Sequence, residues 1–149
     1  MSRPANQMQS QLQTSGQSTE QYLKTFFTYN LLFASVASAA TASASLQIQA
    51  SSDFLIQALS FTCFDLTTHG AITAPQCTIQ LTDTGSSATL FDQPIPITNV
   101  FGTGQFPFVL PVPKLMVANS SLTGSLVATY LANASYFVLS FHGRKIFKG

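Results

Sequence analysis

Charge is what this 149-residue chain has least of: six basic and five acidic side chains make up 7% of it and leave a net charge of +1, where an ordinary soluble domain is about a quarter charged. A freely diffusing monomer resists association with a mixed charged surface. An exterior this neutral points to a protein whose surface is largely occupied by neighbours of fixed geometry. Cysteine is scarce too. Cys63 and Cys77 are the only two, which excludes a disulfide scaffold and any metal-ligand spacing of thiols. Each sits in an apolar alternating run, so buried free thiols are expected, while adjacent strands would still leave a bridge geometrically open. Long apolar runs are missing as well. The best one, Leu31 to Leu46, is broken by Ser35, Ser38, Thr41, Ser43 and Ser45, too short and too polar for a spanning helix of about 20 apolar residues. Lys24, the apolar residues that follow it and Ala37-Ser38-Ala39 imitate a secretory signal, but the polar stretch ahead of Lys24 is long for a charged leader. Secretion is not expected.

Catalytic and cofactor motifs are equally thin. Gly102-Thr103-Gly104 lacks the third glycine of a dinucleotide turn, and no Gly-Lys-Ser/Thr follows a glycine-rich loop anywhere. His69 and His142 are the only histidines, and neither stands at metal spacing from a cysteine or carboxylate. There is no Gly-x-Ser-x-Gly elbow, and Asp53 and Asp65 read as the ends of an apolar strand instead of a glycosidase pair. No catalytic residue, cofactor or metal is assigned. The chain is expected not to be an enzyme.

What is present is β-sheet signal. A chain of this length makes one domain able to bury roughly 68 to 70% of its unfolded surface, and we place the domain at residues 20–149, behind a polar arm at residues 1–19. In the arm, Gln7, Gln9, Gln11 and Gln13 alternate with Met8, Ser10, Leu12 and Thr14. That period of two suits an extended segment laid along a neighbour, possible as an added strand. Ala42 to Gln49 and Cys77 to Thr82 alternate as half-buried strands. Asp53 to Asp65 is apolar on both parities, as expected of a central strand covered on both faces. Asp83 to Ser86 and Asn133-Ala134-Ser135 supply turns. One helical alternative exists over Glu20 to Ala40, weakened by the β-branched and aromatic content of Thr25 to Tyr29. The whole reads as all-β, a single β-sandwich or jelly roll with an extended N-terminal arm.

Five of the seven prolines fall between Pro94 and Pro113, so that stretch cannot be a regular central strand. It reads as a long ordered connection whose apolar residues, Phe101, Phe106, Phe108 and Val109 among them, pack on the body or on a partner. Gly102 and Gly104 are expected to supply backbone angles closed to other residues. Charge is polarised along the chain, with Asp53, Asp65, Asp83 and Asp92 ahead of Lys114, Arg144, Lys145 and Lys148. An acidic edge of one subunit could thus meet a basic end of the next, or these groups are simply solvated strand ends. The patch His142, Arg144, Lys145 and Lys148 is the one basic and aromatic cluster, and without a second basic stripe nucleic acid is an improbable partner. Asn119-Ser120-Ser121 and Asn133-Ala134-Ser135 match the glycosylation pattern and read as chance turn sequences.

The segment PIPITNVFGTGQFPFVLPVPKL, followed by Ala118-Asn119-Ser120-Ser121-Leu122-Thr123 and SYFVLSFHGRKIF, resembles the small virion structural proteins of tailed bacteriophages. The resemblance covers the last third of the chain and, more loosely, Leu46 to Phe61. It implies a capsid decoration, cement or head-spike protein, a homotrimer that clips the major capsid protein and resides in the virion after assembly in the host cytoplasm. The long arm departs from the most compact decoration proteins. The expected partner contacts are Gln7, Met8, Gln9, Gln11, Leu12 and Gln13 in the arm, Phe101, Phe106 and Phe108 in the loop, and Arg144, Lys145 and Lys148 at the end. A receptor- or carbohydrate-binding sandwich on a spike, tail or pilus is the alternative, and a single-jelly-roll major capsid protein a further one.

Overall fold

Alternation of apolar and hydroxyl-bearing residues turns most of these runs into strands. The structure is a computed structural model and describes residues 26–147. Its strands are β1 (Phe26–Val36), β2 (Thr41–Gln47), β3 (Asp53–Asp65), β4 (Gln76–Asp83), β5 (Ala88–Thr89), β6 (Ile95–Pro96), β7 (Phe108–Met116), β8 (Ser121–Tyr130) and β9 (Ser135–Ile146), with a 3-10 turn at Ile97–Asn99. β4 shows the rule: Cys77, Ile79 and Leu81 are buried, while Thr78, Gln80 and Thr82 between them are half-exposed. The helix entertained over residues 20–40 is not formed in its described part. Phe26–Val36 is a strand instead, because its Tyr29, Leu31 and Phe33 lie on one side at period two.

Two antiparallel sheets form a sandwich, one in the order β1-β9-β3-β7 and the other β2-β8-β4-β5, with β6 also on β4. The first strand pairs with the last, the second with the second last, and the third with the third last, while β4 pairs with the short β5 and β6. That nesting is a long antiparallel hairpin rolled on itself, the jelly-roll topology. Its core joins Leu31, Phe54, Phe137, Leu139 and Phe141 of one sheet to Ile79, Leu81, Leu122 and Leu126 of the other. Tyr29 meets Phe54 edge to face at 4.7 Å, and its hydroxyl accepts the Gln49 backbone N–H at 3.0 Å, so the one polar atom it brings inward is satisfied.

β3 explains its own double pattern. A bulge between Ile56 and Ala58 shifts the register against β9 and β7, so the inward side passes from Phe54 and Ile56 to Leu59 and Cys63. The strand is central in its sheet, but its outer face is not covered: Leu55 and Phe64 are half-exposed and Thr62 is exposed. The bulge is crossed by Gly143, where an added Cβ would run into the Leu55 carbonyl oxygen. Most of the proline-rich connection becomes β6, the 3-10 turn and the edge strand β7, which contains Pro111 and Pro113. Neither Gly102 nor Gly104 adopts positive φ. Gly102 is there for space, since a Cβ would strike the Phe106 carbonyl oxygen and the Phe108 amide nitrogen.

Candidate interaction surface

The ionisable side chains are mostly spent on the fold itself. Asp65 accepts Thr67 N–H at 2.7 Å, Thr68 N–H at 3.0 Å and the Asn133 amide at 2.9 Å, and the Asn133 bond leads in holding its carboxyl below the usual range. Asp83 ends β4. Burial works against its charge, but Lys114 at 3.2 Å and the Gly85 N–H at 2.9 Å outweigh burial and hold it below the ordinary value. Asp53 accepts the Ala118 N–H at 2.9 Å. These three aspartates therefore tie turns and sheet edges together within the chain, while Asp92, the fourth of the acidic run, is exposed. Lys145 lies over the Phe27 ring at 3.9 Å and donates to the Gln49 side-chain oxygen at 2.6 Å.

The cysteines are free and buried, and burial pushes Cys63 up to about 12 and Cys77 to about 11, which removes the thiolate needed for nucleophilic or redox work. Among the described residues no three His, Cys, Asp or Glu side chains gather as a metal site. No helix among them is long and apolar enough to cross a membrane.

The two outer faces differ. On the second sheet, the cross-strand rows Thr41-Val127-Thr78, Ser43-Ser125-Gln80 and Ser45-Thr123-Thr82 hold no ionisable group, and Ser45 and Thr123 share a hydroxyl hydrogen bond of 3.1 Å. On the first sheet, the rows are Phe26-Arg144-Leu55-Leu115, Thr28-His142-Ala58-Val109, Asn30-Ser140-Ser60 and Leu32-Val138-Thr62, followed by a Phe64-Tyr136 stack at 4.6 Å. His142 is pinned there by hydroxyls on both ring nitrogens, Thr28 at 3.1 Å and Ser60 at 2.7 Å. Burial lowers its pKa. This face is apolar and hydroxyl-lined, with Arg144 and His142 its ionisable members along these rows.

An exposed apolar strip follows β7. Val109 is 70% exposed and Val112 78%, and Phe108, Leu115 and Val117 are exposed beside them. Ahead of the strand, the Thr103 N–H donates to the Phe106 carbonyl at 3.1 Å and the Phe106 N–H to the Thr103 hydroxyl at 3.0 Å, a closed turn that leaves Phe106 79% exposed. Alongside opens a cleft of about 330 Å³ between the sheet edges, lined by Ile56, Leu59, Leu90, Phe91, Val100, Leu110 and Val112, with Thr89 and Lys114 also on its wall. A second cleft of about 320 Å³ lies near Asp65, Pro75 and Tyr130.

Of the contacts expected from sequence, Phe106 and Phe108 stand on this surface, while Phe101 does not. It is 3% exposed and meets Phe141 edge to face at 6.0 Å, because Phe61 N–H bonds to the Gly102 carbonyl at 2.9 Å and draws that part of the loop onto β3 as an extra rung. Arg144 is half-buried on the outer face of the first sheet, and Lys145 is turned onto Phe27. Gln7, Met8, Gln9, Gln11, Leu12, Gln13 and Lys148 lie outside the described residues. Val112, Leu115 and Val117 escaped the sequence reading because Pro111 and Pro113 mask the strand that displays them. Asn119 occupies a positive-φ turn position, and the Asn133 amide is spent on Asp65.

No protein-family model matches the chain, and no curated protein matches it in sequence. Among solved structures, it is similar to the VP2 subviral particle of infectious bursal disease virus, with a TM-score of 0.37 and 11% identity over 80% of this chain. The matched part is 33% of that protein, so the chain spans about a third of its length.

Proposed function

We propose that this chain is a non-enzymatic structural subunit of a virion, a jelly roll that oligomerises and binds the capsid shell as a decoration or cement protein. The observation that carries the reading is the apolar display along β7 and Phe106 on a body whose two sheet faces are almost without charge. Exposed apolar patches of that extent mark protein contacts on soluble domains. Its mechanism is mass action: a subunit that binds only the assembled lattice stabilises that lattice. In this reading residues 20–149 are the clamp, the arm at 1–19 with Gln7 to Gln13 is a second attachment, and the homotrimer implied by the phage resemblance is the unit that binds. Arg144 on the first sheet and Lys148 at the end belong to the same contact set.

The principal-shell-protein reading shares the fold and the neutral faces, and copy number per particle separates the two. A sugar-binding module is less favoured, because the larger cleft is walled mainly by aliphatic side chains, with Phe91 alone to stack on a ring. The test is to fractionate native particles and quantify this chain. Co-sedimentation at a fixed ratio to the major shell protein supports the decoration role. A chain that dominates the particle mass makes it the shell itself, and absence from particles with monomeric behaviour at high concentration overturns the virion reading.

A further inference from the structure

Resting on that reading, we infer that the contact between copies is a knob in a hole: Phe106 of one copy seats in the cleft beside β7 of another. The knob is preformed. Thr103 closes its turn with two hydrogen bonds, so little ordering entropy remains to be lost when the ring docks. The hole is apolar, with Ile56, Leu90, Phe91, Val100, Leu110 and Val112 on its wall, and at about 330 Å³ it is roomy for an aromatic ring, since an apolar cavity of about 150 Å³ already takes benzene. The single cation on its wall, Lys114, is paired with Asp83 of its own chain, so a neutral guest is matched and a charged one is not favoured. Phe106 stands 79% exposed and so does not fill the cleft of its own chain.

The exposed area along this edge is of the order that a specific contact needs. Phe106, Phe108, Val109, Val112, Leu115 and Val117 together expose on the order of 600 Å² per copy, taking each exposed fraction of an ordinary side-chain area. If the edges of two neighbouring copies cover one another fully, the contact buries about 1,200 Å², the lower end of the range for specific interfaces. Strand addition at this edge is disfavoured, because Pro111 and Pro113 remove two ladder donors and β7 carries a register break opposite Gln57. Side chains must therefore make the contact.

The experiment places p-benzoyl-phenylalanine at position 106 of the full chain, irradiates it at a concentration where the wild type self-associates, and maps the crosslinks. Crosslinks between copies that fall on residues 89–91 or 110–112 are expected. In parallel, Phe106→Ser should weaken self-association by at least about thirty-fold, as a central aromatic anchor does, with the unfolding midpoint unchanged at dilutions where the wild type is dissociated, because the side chain is exposed. Undiminished association of that variant, or crosslinks confined to other surfaces, overturns the knob in the hole and leaves the shell reading standing. A wild type that never associates also overturns the knob in the hole, and the virion reading is then decided by co-sedimentation with particles.

Discussion

Single side chains make the acid response of this protein readable. His142 sits between the Thr28 and Ser60 hydroxyls in a partly buried site, and burial puts its folded pKa below the ordinary histidine value of about 6.5. A histidine with a depressed folded pKa leaves the unfolded chain binding more protons, so the stability it contributes is present above about 6.5 and is lost as pH falls through the folded value. Asp65 and Asp83 follow at lower pH. Their folded pKa values lie below the ordinary carboxylate range, so their contribution is present above about pH 4 and disappears as pH falls through the folded values. Urea midpoints measured from neutral pH downward are expected to decline in two stages, the first beginning near pH 6.5 and the second below about 4. His142→Gln should remove the first stage alone, and Asp65→Asn should shrink the second. A midpoint that rises as pH drops from 7 to 5 would contradict the neutral-histidine assignment.

Strands were legible where they alternate and illegible where the backbone breaks period. β2 and β4 are strands by inspection, because their inward residues stay on one parity. β3 looked covered on both faces, and the bulge at Gln57 accounts for that pattern without a second cover. β5 and β6 are two residues long and have no period to show. The loop before β7 packs on the body at Phe101 for a related reason: Gly102 exchanges backbone hydrogen bonds with Leu59 and Phe61, so a segment that reads as a connection behaves as part of a sheet. That role makes Gly102→Ala a sharp test. The added methyl meets backbone atoms of residues 106 and 108, which cannot swing aside as a side chain would, and overpacking of this kind costs about 1–3 kcal/mol. Chemical unfolding of the full chain measures the loss, and Gly104→Ala, with nothing within 4 Å of the new carbon, should be close to neutral.

At the scale of the molecule, the scarcity of charge was legible from composition, but its arrangement was not. The sequence left two readings open, opposite poles that meet across an interface or solvated strand ends. Three-dimensional placement instead commits Asp53, Asp65 and Asp83 to bonds within the chain and Lys145 to Phe27 and Gln49. Among the described residues the surface is apolar along β7 and mostly hydroxyl-lined on the sheets, with Arg144 and Asp92 its accessible charges apart from these and the Lys114 paired with Asp83, and that decides how association should respond to salt. Contacts between exposed charges weaken as the screening length shrinks from about 10 Å at 0.1 M to about 3 Å at 1 M salt. Contacts between apolar side chains do not, and excluded salts such as sulfate strengthen them. Sedimentation of the full chain across about 0.1 to 1 M sodium chloride is expected to move its self-association by no more than about two-fold, and an equal ionic strength of sulfate to tighten it. A ten-fold weakening with chloride would show that charged groups hold the copies together, and the apolar edge would lose its claim to the interface.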